Sequence, residues 1–124
     1  MATVDLTAGS FEQTVRENPI VLVDFWAAWC APCRMFEPVY ATASARHDGI
    51  VFGKVDTDAQ QQLAMDLGIS SIPTLLAFRD GVQVRSVSET LPPRALEKFI
   101  ADVRSLDMAT FGRDPMDDIP ELDM

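Results

Sequence analysis

Two thiols stand three positions apart in the segment FWAAWCAPCR, Phe25 to Arg34, and they are the only cysteines of the chain. A Cys-x-x-Cys pair can supply half of a zinc site, close a structural disulfide, or cycle between dithiol and disulfide. Zinc needs four ligands, and beyond Cys30 and Cys33 the chain offers only His47 and carboxylates, so no metal site is expected. A structural disulfide across so small a loop would restrict the unfolded chain little, and a reducing compartment would not keep it oxidised. The redox reading is the one with a mechanism. An apolar run precedes the pair and a helical pattern follows it, which puts Cys30 at a helix N-terminus. Unpaired N–H groups and the helix dipole favour a negative group there, so the Cys30 thiolate is expected to form below the free-thiol pKa of about 8.5 and to act as the nucleophile. Cys33, one turn later on the same face, is placed to attack a mixed disulfide at Cys30 and is the expected resolving thiol. Pro32 suits the first helical turn, where its missing N–H would have had no partner. Ala31 and Pro32 offer no side-chain donor to stabilise the thiolate further, which makes the pair a reductant.

The elements that hold this pair follow from the hydrophobic pattern. TVDL reads as a short strand, and Thr7 or Ser10 to about Glu17 as a helix that stops before Asn18-Pro19. Ile20 to Ala27 is apolar except for Asp24, as a strand covered on both faces would be, and is expected at the centre of a sheet. A helical pattern runs from about Cys33 to Ala45, with Pro38 inside it as an expected kink. Ile50 to Asp56 is a second buried strand, Ala59 to Leu67 a helix stopped by Gly68, and two strands flank the turn Asp80-Gly81. After Pro92-Pro93, the spacing of Leu96, Phe99, Ile100 and Val103 predicts an amphipathic helix to about Ser105. The order βαβαβαββα implies an α/β fold whose central mixed sheet is flanked by helices on both faces.

Length and charge narrow the function classes. The 124 residues suit one domain, 1–106, followed by an acidic tail, 107–124, without ordered structure; six of its residues are acids against the single Arg113. A net charge of −9 argues against nucleic acid or an anionic membrane as partner, and no apolar run is long enough to span a bilayer. The start MATVDLTAGSFEQ has neither the basic nor the apolar region of a signal peptide, so a cytoplasmic location is expected. His47, beside Arg46 at a helix end, is read as a surface or capping residue.

From Thr3 to Val103 the chain resembles the thioredoxin family. DFWAAWCAPC is similar to the family's DFWAxWCGPC, KVD to its third-strand lysine region, SIPTLLAFRDG to its IPTxxxFxxG stretch and ALEKFI to its last helix. The resemblance implies the thioredoxin fold and reduction of protein disulfides. It implies no bound cofactor, electrons instead reaching the Cys30–Cys33 pair from NADPH through a flavoprotein, thioredoxin reductase. Disulfide-containing proteins and that reductase are the expected partners of a monomer. Asp24 matches the family's buried aspartate. An acid inside VLVDFW is costly to bury, so a raised pKa and a polar partner are expected, with Lys54 on the neighbouring strand as candidate. By resemblance Asp24, through water, takes the proton of Cys33. Ile72 and Pro73 match the family's cis-proline, which would hold an extended substrate segment beside Cys30, and Trp29 would present an apolar contact surface, while Trp26 is read as core. Ala31 replaces the usual glycine, Arg34 the common lysine, and Ser88-Glu89-Thr90 stands where the family carries VGA. In the resemblance that glycine lies in the substrate groove, so Glu89 is expected to add bulk and negative charge where partners dock. The rival reading is an interaction module whose contacts, through Glu89 and the tail, matter more than its redox cycle; an oxidant or isomerase is disfavoured by the absence of a histidine between the cysteines.

Overall fold

The computed structural model describes residues 3–111, and in chain order these form β1 (Val4–Asp5), α1 (Ala8–Glu17), β2 (Ile20–Trp26), α2 (Ala31–Arg46), β3 (Val51–Asp56), α3 (Gln61–Asp66), β4 (Thr74–Arg79), β5 (Val82–Val87) and α4 (Pro93–Ser105). The strands make one mixed sheet in the order β1-β3-β2-β4-β5. β2 is central because its side chains are apolar on both faces. It pairs in parallel with β3 and antiparallel with β4. The expected architecture, a sheet with helices on both faces, is the one observed.

The two-residue period of β2 divides the core. Val21, Val23 and Phe25 point to the side covered by Phe11 and Val15 of α1. Leu22 points to the side covered by α2 and α4, where Phe36, Tyr40, Leu96, Ile100 and Val103 are buried. Asp24 shares the parity of Leu22 and therefore lies under α2. The parallel register sets Asp24 opposite Lys54. Tyr40 donates its hydroxyl to the Gly53 carbonyl at 2.8 Å, satisfying a phenol that is only 1% exposed, and its ring packs against Phe36 and Phe52.

Element ends follow local chemistry. Asp80 and Gly81 both adopt positive φ, 53° and 84°, which a two-residue hairpin turn between right-twisted strands requires. Gly68, at φ 71°, ends α3, with the Ile69 N–H donating to the Ala64 carbonyl at 2.9 Å. The α3 helix is shorter than its pattern, beginning at Gln61 because residues 57–59 turn on Asp56, whose side chain accepts from the Asp58 N–H at 2.9 Å. Two boundaries differ more. The second helix starts at Ala31, two residues before the apolar periodicity begins, because Cys30 caps it. It continues through Pro38, which leaves the Arg34 carbonyl without its intrahelical donor. Although the sequence places the start of the acidic tail at Asp107, the chain turns there, with the Ala109 N–H donating to the Asp107 carboxylate at 3.0 Å. Met108 and Phe111 then lie half-buried against the core under α4, since apolar side chains that can reach a core edge gain by covering it. The remainder of that tail, 112–124, lies outside the described residues.

Candidate active site

The α2 N-terminus meets the ends of β2 and β4 at Cys30. Its extended backbone, φ −90° and ψ 108°, is that of an N-cap, and its sulfur accepts the Cys33 N–H at 3.3 Å. Cys30 and Cys33 are joined in a disulfide with their Cα atoms 5.3 Å apart. A thiolate left at Cys30 after reduction would face that same amide and the positive end of a 16-residue helix. Ala31 and Pro32 form the first turn and are exposed; neither side chain reaches the sulfurs with a donor. Burial barely separates the two cysteines in the disulfide, 5% exposed for Cys30 and 3% for Cys33. Their surroundings do separate them. The Cys30 sulfur lies 3.8 Å from the Ile72 carbonyl oxygen, on the side of the Ile72–Pro73 bond, which is cis. Cys33 faces inward, toward Asp24.

A cavity of about 230 Å³ separates Cys33 from Asp24, and Trp26, Arg34, Glu37 and Lys54 complete its lining. Asp24 is 1% exposed and its Oδ1 has no hydrogen-bond partner among the described residues. Burial raises its pKa from 3.8 to about 7, against a lowering pull from Lys54 and with a further push from Glu37. The carboxyl can therefore hold or release a proton near neutral pH, within one small cavity of the Cys33 sulfur. The cavity is large enough for several waters and its lining is polar enough to hold them.

Lys54 corrects one expectation. It stands opposite Asp24 in the ladder, but its ammonium pairs with Glu37 Oε2 at 2.7 Å. The ammonium itself lies over the Trp26 ring, 4.7 Å from its centroid, at the edge of the cavity, where the charge keeps partial hydration and finds a carboxylate. Lys54 thus acts on Asp24 through its field, without an ion pair to it among the described residues. Glu37 is the residue that the sequence reading missed. Its signal was available: it is the acid four positions after Cys33, on the same helical face.

The outer face of the site is built by Trp29 and the 72–74 segment. Trp29 is 69% exposed, with its indole N–H donating to Asp58 Oδ2 at 3.0 Å, so its ring is held as an apolar surface beside Cys30. Asp58 was not singled out from the sequence. Trp26 is half-buried against Ala27, Cys30 and Cys33 and belongs to the core beneath the site. Arg34 donates to the Ala28 carbonyl at 2.9 Å, tying the first turn of α2 to the loop that precedes it. Pro73 is buried and Ile72 half-buried. Glu89 is exposed just beyond β5. The ladder ends at Leu75↔Val87, beyond which Thr74 Oγ1 contacts Ser88 Oγ at 3.1 Å, and Glu89 is the residue after that contact. The structure thus gathers Cys30, Trp29, Ile72 and Pro73 on one face, with Cys33, Asp24 and Lys54 behind it and Glu89 just beyond the end of β5. His47 lies apart: its Nε2 is 2.7 Å from Glu97 and its ring stacks on Phe52 at the end of α2. No group of three or more metal-ligating side chains is assembled among the described residues, and no helix there is long and apolar enough to cross a membrane.

Comparison with known proteins gives the same fold and the same chemistry. The family model described as Thioredoxin matches residues 2–102. A Streptomyces coelicolor protein carrying the name thioredoxin 2 is 51% identical over 107 residues, 86% of this chain and 80% of that one. The thioredoxin of Alicyclobacillus acidocaldarius is 42% identical over 103 residues, 82% of this chain and 98% of its own. Among solved structures, a mutant thioredoxin from Halobacterium salinarum superposes with a TM-score of 0.79 at 34% identity, covering 86% of this chain and 94% of that one.

Proposed function

The chain belongs to the thioredoxin family and is a thiol–disulfide oxidoreductase, and from that premise we propose the working cycle of its residues. The Cys30 thiolate attacks one sulfur of a target disulfide; a Cys30–target bond forms and the other target sulfur leaves as a thiolate that takes up a proton. Asp24 accepts the proton of Cys33. The Cys33 thiolate then attacks the Cys30 sulfur, closing the Cys30–Cys33 disulfide and releasing the second target thiolate, which is protonated. Two electrons pass from the dithiol to the target. Pro73 and Ile72 hold the target segment against Cys30 while Trp29 supplies apolar contact. A flavoprotein reductase returns the disulfide to the dithiol with electrons from NADPH. The protein does this as a cytoplasmic monomer.

The observation that carries this reading is the joining of Cys30, as the cap of α2, to Cys33, which shares a cavity with a carboxyl that titrates near neutrality. It is tested by following NADPH loss with thioredoxin reductase, insulin and this protein. Sustained consumption that needs both cysteines is expected. No consumption with reductase, alongside normal insulin reduction driven by dithiothreitol, would remove the reductase from the proposal and leave the disulfide chemistry.

Glu89 shapes the docking side. One residue beyond the Thr74–Ser88 contact, it places a carboxylate where an uncharged backbone would otherwise meet the target, and a single exposed charge of this kind is worth up to about 1 kcal/mol. Glu89→Gly is therefore expected to raise the rate of insulin reduction about two- to fivefold, mostly through KM. An unchanged rate would show that the carboxylate does not meet the target.

A further inference from the structure

Glu37 has no role in the cycle as described, yet it holds the one cation that faces Asp24 from the neighbouring strand. The Lys54 side chain is 11% exposed and its ammonium is 2.7 Å from Glu37 Oε2. Both residues line the cavity shared by Asp24 and Cys33. We propose that Glu37 is a positioning residue for the resolving half of the cycle: its carboxylate anchors the Lys54 ammonium at the cavity's edge and so sets how much of that positive charge reaches Asp24. The inference rests on the assignment of Asp24 as the proton acceptor for Cys33.

A cation free to swing inward would meet the unpartnered Asp24 Oδ1, the nearest strong acceptor on the adjoining strand. Burial with a full ion pair would hold Asp24 as a carboxylate and make it a weak base toward a thiol. With the ammonium anchored to Glu37, the cation still tempers Asp24 through its field but does not bind it. Other charged and titratable groups around Asp24 are limited. From α2 it faces Arg34, whose guanidinium donates to the Ala28 carbonyl, Tyr40, whose hydroxyl is committed to Gly53, and Cys33 itself. On its other side β4 presents Leu75 in register. Among these groups, Lys54 is the cation whose position Glu37 can change.

The test is a titration of the Asp24 carboxyl by carbon-13 NMR in the oxidised full-length protein. Four forms are compared: wild type, Glu37→Gln, Lys54→Met and the double variant. Glu37 is 56% exposed in its side chain, so the glutamine variant is expected to fold. Its Asp24 midpoint is expected to fall by about one pH unit, as a freed cation approaches the carboxylate. In the Lys54→Met background the same Glu37→Gln change is expected to move the midpoint by less than half as much. That difference is the signature of action through Lys54. Equal shifts in both backgrounds, or no shift in either, would overturn the proposal. Insulin reduction driven by dithiothreitol is measured on the same proteins with Cys30→Ser as control. A midpoint that stays put while Cys30-dependent turnover persists sinks this inference alone, whereas turnover that ignores Cys30 sinks the cycle on which it rests.

Discussion

Asp24→Asn stabilises the oxidised protein by about 4 kcal/mol at pH 8, and the gain disappears below pH 4. The size follows from linkage: a carboxyl that titrates at 3.8 when exposed and at about 7 in the fold differs between the two states by about 4 kcal/mol, at 1.36 kcal/mol per pH unit. The sign follows from which state holds the proton. Between pH 4 and 7 the folded protein keeps a proton on Asp24 that the unfolded chain releases, so the contribution of Asp24 to wild-type stability is highest below pH 4, falls across that window and levels above it. Asparagine does not titrate and escapes the fall. Denaturant unfolding of both proteins from pH 4 to 9 measures the difference. A difference independent of pH would mean that Asp24 ionises in the fold as easily as in water. The same substitution removes the proton acceptor proposed for Cys33 and is expected to slow release of the captured target on the order of tenfold to a hundredfold near pH 7.5. A residue that lowers stability while serving turnover is the kind of local conflict expected at a functional site.

That conflict was also what made Asp24 legible. A single acid in IVLVDFW breaks an otherwise apolar strand, and burial gives the break its energetic meaning without any coordinates. The cysteine pair was legible for a similar reason, because the strand-to-helix change of period falls at Cys30 and fixes which sulfur caps the helix. The hairpin at Asp80-Gly81 and the stop at Gly68 were readable because positive φ has few suitable residues. The destination of Lys54 was not legible. Register places it opposite Asp24, but a long, flexible stem lets the ammonium choose between two carboxylates, and the choice depends on the path past Trp26 to the cavity's edge. The apolar periodicity of α2 begins only at about Cys33 because Ala31 and Pro32 carry no periodic signal; the capping sulfur of Cys30 sets the boundary instead. Asp58 escaped notice because its partner, Trp29, comes from a different loop, 29 residues away in sequence.

Cys30→Ser lowers disulfide reduction on the order of 10³-fold or more, whereas Cys33→Ser leaves the first attack intact and halts the cycle at a protein–target mixed disulfide. The two sulfurs are equally buried in the oxidised protein, so exposure does not assign their roles. Position does. Cys30 receives the Cys33 amide and lies beside the Ile72 carbonyl, where an extended target segment can pair with free backbone. Cys33 lines the cavity that also holds Asp24, with that carboxyl on one side and the Cys30 sulfur on the other. Loss of Cys30 removes the sulfur proposed to attack the target, and a serine hydroxyl at neutral pH does not replace it. Loss of Cys33 removes the step that frees the target, so the adduct persists until an outside thiol cleaves it. Mass spectrometry of the quenched reaction distinguishes the two: an adduct of protein plus target accumulates with Cys33→Ser and is absent with Cys30→Ser. An adduct on Cys33 in the Cys30→Ser protein would reverse the assignment. It would also mean that the face of Trp29 and Pro73 is not where targets dock, because Cys33 opens onto the cavity beneath that face.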